Sequence, residues 1–313
     1  MGKFLRFIAI FVSSIVLLFL LVVGSLNGLK FVIYSEYYDI KEDICKNPGI
    51  NDNFVQQGIS VLEEKNLILV SGYMSDDTAS RVYITDMDSN AYYLTLEYNG
   101  EIFTGHVGGI CNTNGIVYIA NGKNVYKVSL DILLEAEKNS SISIEKCAEL
   151  NHKASYIYTD DNYIYVGEYR DEKNGFKTNH SFKNDNGAIC GVYNINQFAT
   201  YKEEELVALK YFVVSDYVQG FCLLSDGSVV LSTSHGLNDS VYYVYENPKD
   251  KDGEIYGSDL YHLEKLEKKI NGPAMSECLD FSNGKVYTLT ESASNKYIFG
   301  KFFFANKIIA LNL

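Results

Sequence analysis

The chain has 313 residues, 47% of them hydrophobic and 21% charged, which is enough apolar material for a packed core and excludes disorder by composition. Its net charge of −13 excludes a nucleic-acid binder, because nothing in excess neutralises phosphates. Tyrosine (26) and phenylalanine (17) are abundant, tryptophan is absent and proline occurs three times.

The N-terminus is a separate compositional unit. Lys3, Arg6 and Lys30 are the charges of the first 30 residues, so the remainder carries −16. From Phe7 to Val23 the sequence is uncharged and almost wholly apolar, continuing weakly to Leu26. At about 1.5 Å per residue this run crosses a hydrocarbon core of about 30 Å. Lys3 and Arg6 place residues 1–6 in the cytoplasm and the acidic remainder outside. The run exceeds a usual signal-peptide core, so we expect an uncleaved anchor over residues 7–26 rather than a secretory signal. Residues 27–53 are expected to form a membrane-proximal spacer, and Cys45 within it is the best candidate for a disulfide staple.

A repeated unit follows over residues 54–313: a short strand, a turn built from Asn, Asp or Gly, and a second apolar strand. It starts at Gln57, Gly108, Ala154, Gln219 and Ser276. Alternating third strands follow at Ser80–Ile84, Asn124–Val128, Gly187–Tyr193 and Ser240–Tyr245, with weaker ones at Tyr92–Leu96 and Ile308–Leu311. Three or four antiparallel strands recurring about every 50 residues predict an all-β fold, a β-propeller. Five blades are expected; a sixth would need strands from 31–56, where the pattern is poor. The tyrosines then serve blade packing, and Cys111, Cys222 and Cys278 read as small buried apolar groups on inner strands. Leu130–Lys138 and Leu260–Ile270 have helical spacing, and Asp171–Asn186 reads as a surface loop.

In a propeller the innermost strands line the axis, so their first residues converge. Here those residues are Gln57, His106 with Gly108 and Gly109, Ser155, Gln219 and Glu277. Glu277, Gln57 and Gln219 offer oxygens suited to a hard cation such as Ca²⁺, and His106 offers a nitrogen. Hydrogen bonding among these groups and channel water is the plainer alternative. Tyr73, Glu168, Tyr169, His235 and Glu291 end the second strands and are assigned to the opposite rim, as a pocket mouth. Arg170 is expected to pair with Glu168. Asp86–Asn90 imitates a calcium loop, but Ala91 stands where glycine is needed. No nucleophile elbow, zinc-protease helix, phosphate-binding loop or dinucleotide fingerprint is present.

The ordered motifs Gln57-Gly58-Ile59, Ser71-Gly72-Tyr73, Ser80-Arg81-Val82-Tyr83, Thr104–Ile110, Gly167-Glu168-Tyr169, Val218–Phe221, Met275-Ser276-Glu277 and Glu291–Tyr297 resemble those of uncharacterised secreted or membrane-anchored bacterial β-propeller proteins. In architecture alone the chain is similar to the gluconolactonase and strictosidine-synthase propellers. That resemblance implies a metal in the central channel, although the ligand set is not reproduced here. Two functions follow as expectations. The first is a binding or scaffolding module for a peptide, glycan, small molecule or protein. The second is a metal-assisted lactonase or esterase, with His106 as general base. With one clear carboxylate at the axis and no acid–base pair in view, the first is preferred.

Overall fold

A computed structural model of the chain describes residues 2–180, 182, 187–199 and 205–313. Five sheets form five blades of a β-propeller. Blade 1 consists of Phe54–Leu62, Leu67–Met74, Arg81–Asp86 and Ala91–Tyr98. Blade 2 consists of Gly109–Thr113, Ile116–Asn121, Asn124–Ser129 and Glu145–Leu150. Blade 3 consists of Tyr156–Thr159, Tyr163–Gly167, Ala188–Asn194 and Lys210–Val214. Blade 4 consists of Val218–Leu223, Val229–Thr233, Ser240–Tyr245 and Leu266–Gly272. Each repeated sequence unit lies on the inner hairpin of one blade.

Blade 5 is composite. Its inner strands are Ser276–Ser282, Lys285–Thr290 and Lys307–Leu311, and its outermost strand, Lys41–Lys46, comes from the start of the chain. That strand pairs antiparallel with Lys307–Leu311 from Lys41↔Leu311 to Lys46↔Lys307. The stretch assigned to a spacer therefore contains the closing strand of the ring. Its Lys-Glu-Asp-rich sequence hides it, because an outer strand exposes most of its side chains; only Cys45 is buried. The predicted helix over Leu260–Ile270 is also corrected: Ser258–His262 joins blade 3 in parallel, and Leu266–Gly272 forms the edge of blade 4. Leu266–Gly272 alternates exposed Lys and Glu with inward Ile270 and Gly272, which is a strand's period of two. Leu130–Glu135 is helical as expected, with Leu130 and Leu133 turned inward.

The inner strands touch in sequence around the axis, the fifth meeting the first. They approach backbone to backbone. A Cβ on Gly58 would stand 2.7 Å from the Ile110 nitrogen, and one on Gly220 would stand 2.5 Å from the Leu279 nitrogen. Only glycine admits that contact. Between blades the contacts are aromatic, as in Tyr165 stacked on Phe221 at 5.1 Å. Fully buried tyrosines include Tyr156, Tyr193, Tyr211 and Tyr242.

All six cysteines are free and buried, Cys45 included, so the proposed staple is not formed. Burial pushes the thiols of Cys147 and Cys278 up to about 12. A thiol reagent is therefore expected to label none of the six in the native chain and all six once the chain is unfolded in guanidinium; fast native labelling would contradict this packing.

Preceding the propeller, α1 (Gly2–Ile33) leads into α2 (Ser35–Ile40). Within α1, Lys3–Ile33 is long and apolar enough to cross a membrane, a property shared by anchors and secretory signals. Tyr34 donates to Asp239 Oδ1 at 2.6 Å and Tyr37 stacks on Tyr242 at 6.1 Å, which docks the joint onto blade 4.

Candidate functional site

Three inner strands begin with a β-bulge. Gln56 faces Gly72 and Gly58 faces Ser71, leaving Gln57 without a ladder partner. The register skips Gln219 in the same way in blade 4, and Glu277 with Cys278 in blade 5. A bulge frees one residue from the ladder and re-aims its side chain. The repeated Gln-Gly pairs are thus a bulge followed by the glycine that lets the strand pass close to its neighbour.

The hairpins also correct the placement of the rim. In an antiparallel pair the second strand ends beside the first strand's start: Val55 faces Tyr73 and Ser276 faces Thr290. Tyr73 and Glu291 therefore sit at the same end as Gln57 and Glu277, not opposite them. Gln57 Nε2 donates to Glu291 Oε2 at 2.9 Å and to the Gln56 carbonyl at 2.8 Å. Tyr73 stacks on His106 at 4.5 Å, and Lys296 Nζ donates to the Tyr73 hydroxyl at 2.6 Å. Lys296 also stands over the Tyr73 and Tyr297 rings at 4.9 and 5.1 Å.

The electrostatics centre on two carboxyls. Glu277 is 2% exposed and its Oε1 has no hydrogen-bond partner. Loss of water, and then the Glu291 charge, push the Glu277 carboxyl well above its usual range. Desolvation pushes Glu291 up to about 7, against the opposing pull of Lys296, Gln57 and Tyr297. The charge on one carboxyl therefore opposes ionisation of the other. Partial loss of water, and then the nearby Lys296 ammonium, lower the His106 imidazole from its ordinary value, although the residue as a whole stays exposed. Burial likewise raises the hydroxyls of Tyr73, Tyr169 and Tyr297, and all three feel the negative charge of Glu277 and Glu291. The arrangement is a carboxyl pair ringed by tyrosines, with one amide, one imidazole and one ammonium.

The other predicted residues serve the scaffold. Glu168 accepts from the backbone N–H of Lys153 and of Ile189, both at 3.3 Å, and pairs with His180 at 3.0 Å. Arg170 does not pair with Glu168; it grips both oxygens of Asp216 at 2.7 Å and meets Glu172 at 2.5 Å. His235 pairs with Asp171 at 3.1 Å and packs on Tyr217. Of the loop read as 171–186, residues 181 and 183–186 lie outside the described residues. Lys296 and Tyr297 were not expected at the site; their sequence signal is that they close the Glu291–Tyr297 motif, five and six residues after Glu291.

The candidate calcium set comprises Glu277, Gln57 and Gln219. Among the described residues no three His, Cys, Asp or Glu side chains form a group that would hold a metal. Of the candidate calcium ligands, the Gln57 amide nitrogen faces Glu291, and most of the six to eight oxygens that Ca²⁺ takes would have to come from water, backbone or ligand.

Fold and site together define a five-bladed propeller with a buried and a part-buried carboxyl, Glu277 and Glu291, at one end of its axis. No family model matches the chain. No curated protein matches it either. Several solved structures are similar in fold. The PQQ-bound aldose sugar dehydrogenase of Streptomyces coelicolor is 12% identical, over 80% of this chain and 77% of that one, with a TM-score of 0.44. A putative oxidoreductase (glucose dehydrogenase) of Thermus thermophilus is 8% identical over 87% and 99%, with a TM-score of 0.42. The gluconolactonase of Xanthomonas campestris is 10% identical over 77% and 74%, with a TM-score of 0.38. At these identities the likeness concerns architecture alone, the level at which the gluconolactonase-type resemblance was expected.

Proposed function

We propose that the protein is a single-pass, N-terminally anchored module whose propeller lies outside the cell and binds a small, hydroxyl-rich ligand at the axial mouth. The anchor rests on the apolar α1, with Lys3 and Arg6 at its cytoplasmic end. The binding role rests on one observation above all: Glu277 is buried with an unpartnered Oε1. Such an atom costs roughly 1–3 kcal/mol unless something hydrogen-bonds to it. A ligand hydroxyl satisfies it, and the surrounding tyrosines supply apolar ring edges and hydroxyls to a sugar-like ligand. The test is calorimetric titration of the full-length chain in detergent with a panel of neutral mono- and disaccharides. Binding that falls at least tenfold in a Glu277→Leu chain of unchanged melting temperature is expected. Absence of binding across the panel, or affinity indifferent to that substitution, would overturn the proposal.

A second reading, hydrolysis of a lactone or ester, is favoured by the carboxyl pair itself. Two raised carboxyls at one end of the axis would supply an acid–base pair. Under this reading Glu291 is the base and Glu277 the acid, and His106, neutral at pH 7, is an alternative base. Lactone hydrolysis by the full chain would then rise through about pH 7 and collapse in Glu291→Gln; a rate no greater in the native chain than in that variant would dismiss it.

A further inference from the structure

A cavity of about 730 Å³ lies away from the axis, where α1 and α2 meet the outer strands of blade 5. Its walls are aromatic and aliphatic: Phe31 from α1, Tyr37 and Tyr38 from α2, Phe303 from the loop after the second strand of blade 5, and Ile309. Its charged groups are mostly cationic, Lys30, Lys41 and Lys307 against Asp43. Its volume falls within the roughly 300–1,000 Å³ of ligand pockets.

Two features tie this cavity to a bilayer. First, α1 is uncharged between Arg6 and Lys30. That stretch spans about 35 Å at 1.5 Å per residue, so Lys30 reaches the far interface. Second, the turn Ile298–Phe304 reaches back along α1. Asn27 Nδ2 donates to the Phe302 carbonyl at 2.8 Å, Lys30 Nζ donates to the Phe303 carbonyl at 2.7 Å, and the Phe302 ring meets Phe19, inside the apolar run, at 5.7 Å. Ile298, Phe302 and Phe304 remain 50%, 44% and 69% exposed to water. Ile298 and Phe304 hold φ of 52° and 58°, a conformation bulky residues rarely adopt, so the turn that presents these side chains is itself strained. Aromatic residues beside lysines at the end of an apolar helix are the composition of a membrane interface.

We infer that this cavity holds one anionic phospholipid, with an acyl chain between α1 and the aromatic turn and its phosphate at Lys30 and Lys41. The inference rests on the anchor proposed above. Lys30 spends one N–H on the Phe303 carbonyl, and an ammonium carries three donors, so two are available to a phosphate. Its charge lies over the Phe31, Tyr38 and Phe304 rings at 5.2, 5.9 and 5.4 Å, which fixes it at the cavity wall.

Native mass spectrometry of the full-length chain, extracted in mild detergent and offered equal palmitoyl-oleoyl phosphatidylglycerol and phosphatidylcholine, tests this. One phosphatidylglycerol retained per chain, at least tenfold over phosphatidylcholine, is expected. Ala305→Trp, which fills the cavity, is expected to abolish retention. Lys30→Gln with Lys41→Gln is expected to bring the two lipids level, and this double variant serves if Ala305→Trp fails to fold. No retained lipid, equal retention of both lipids by the native chain, or retention unchanged in either variant overturns the inference. The same spectrum reports the chain mass. A chain lacking its first 20–26 residues but still holding phosphatidylglycerol refutes the anchor and leaves the cavity assignment standing; a shortened chain without lipid refutes both.

Discussion

A Gly220→Val chain is expected to lose at least about 3 kcal/mol of stability, the upper range for overpacked sites and enough to unfold a marginal propeller. The first added atom would meet the Leu279 nitrogen at 2.5 Å and the Cys278 carbonyl carbon at 2.8 Å, and only the Ser232 hydroxyl among its neighbours can swing aside. Those backbone atoms belong to the inner strand of blade 5, itself wedged against blades 1 and 4. The ring therefore yields as a whole or not at all. Gly253→Ala is the matched control, since its Cβ would meet only Leu260 side-chain atoms, at 3.4 and 3.7 Å. Urea midpoints of the two full-length variants make the comparison, and equal midpoints would contradict the close-packed axis.

The second large effect is a pH dependence. The Glu291 carboxyl rises from its ordinary 4.5 to about 7 on folding, so the folded chain keeps a proton that the unfolded chain has lost. A raised pKa contributes stability that is complete below pH 4.5 and is lost as pH climbs through 7. Glu291→Gln removes that titration and preserves an oxygen to accept from Gln57 Nε2. The variant is expected to match the native chain near pH 4.5 and to exceed it by about 2 kcal/mol at pH 8, after discounting for partial solvent access. His106 titrates in the opposite sense, because its depressed value removes stability as pH falls through 6.5 towards 4, but it is common to both chains and cancels. Paired thermal melts between pH 4.5 and 8 measure the difference, and a constant offset would show that Glu291 does not titrate in the folded state near 7.

The inner hairpins were legible because their turns are built from Asn, Asp and Gly, and because their second strands read as nearly continuous apolar runs. The outer strands were not. Lys41–Lys46 and Leu266–Gly272 turn most side chains to water, so their composition matches a linker or a helix equally well. Gln57, Glu277 and Glu291 were identified singly, but their meeting depends on an antiparallel return and a bulge, which no local pattern records. Glu168 and His235 carried the same sequence signal and proved to be tied to His180 and Asp171 within the frame. Charge alone cannot separate the two cases; the difference is whether a neighbour satisfies the buried atom.

The ladder between Lys41–Lys46 and Lys307–Leu311 joins residues about 265 positions apart, the first strand translated to the last. Until Lys307–Leu311 is made, the Lys41–Lys46 strand lacks its partner, so this long-range pairing makes ring closure a late event. The first strand follows directly from α1 and α2. The six residues that close the ring are thus also the ones through which α1 and α2 join the propeller.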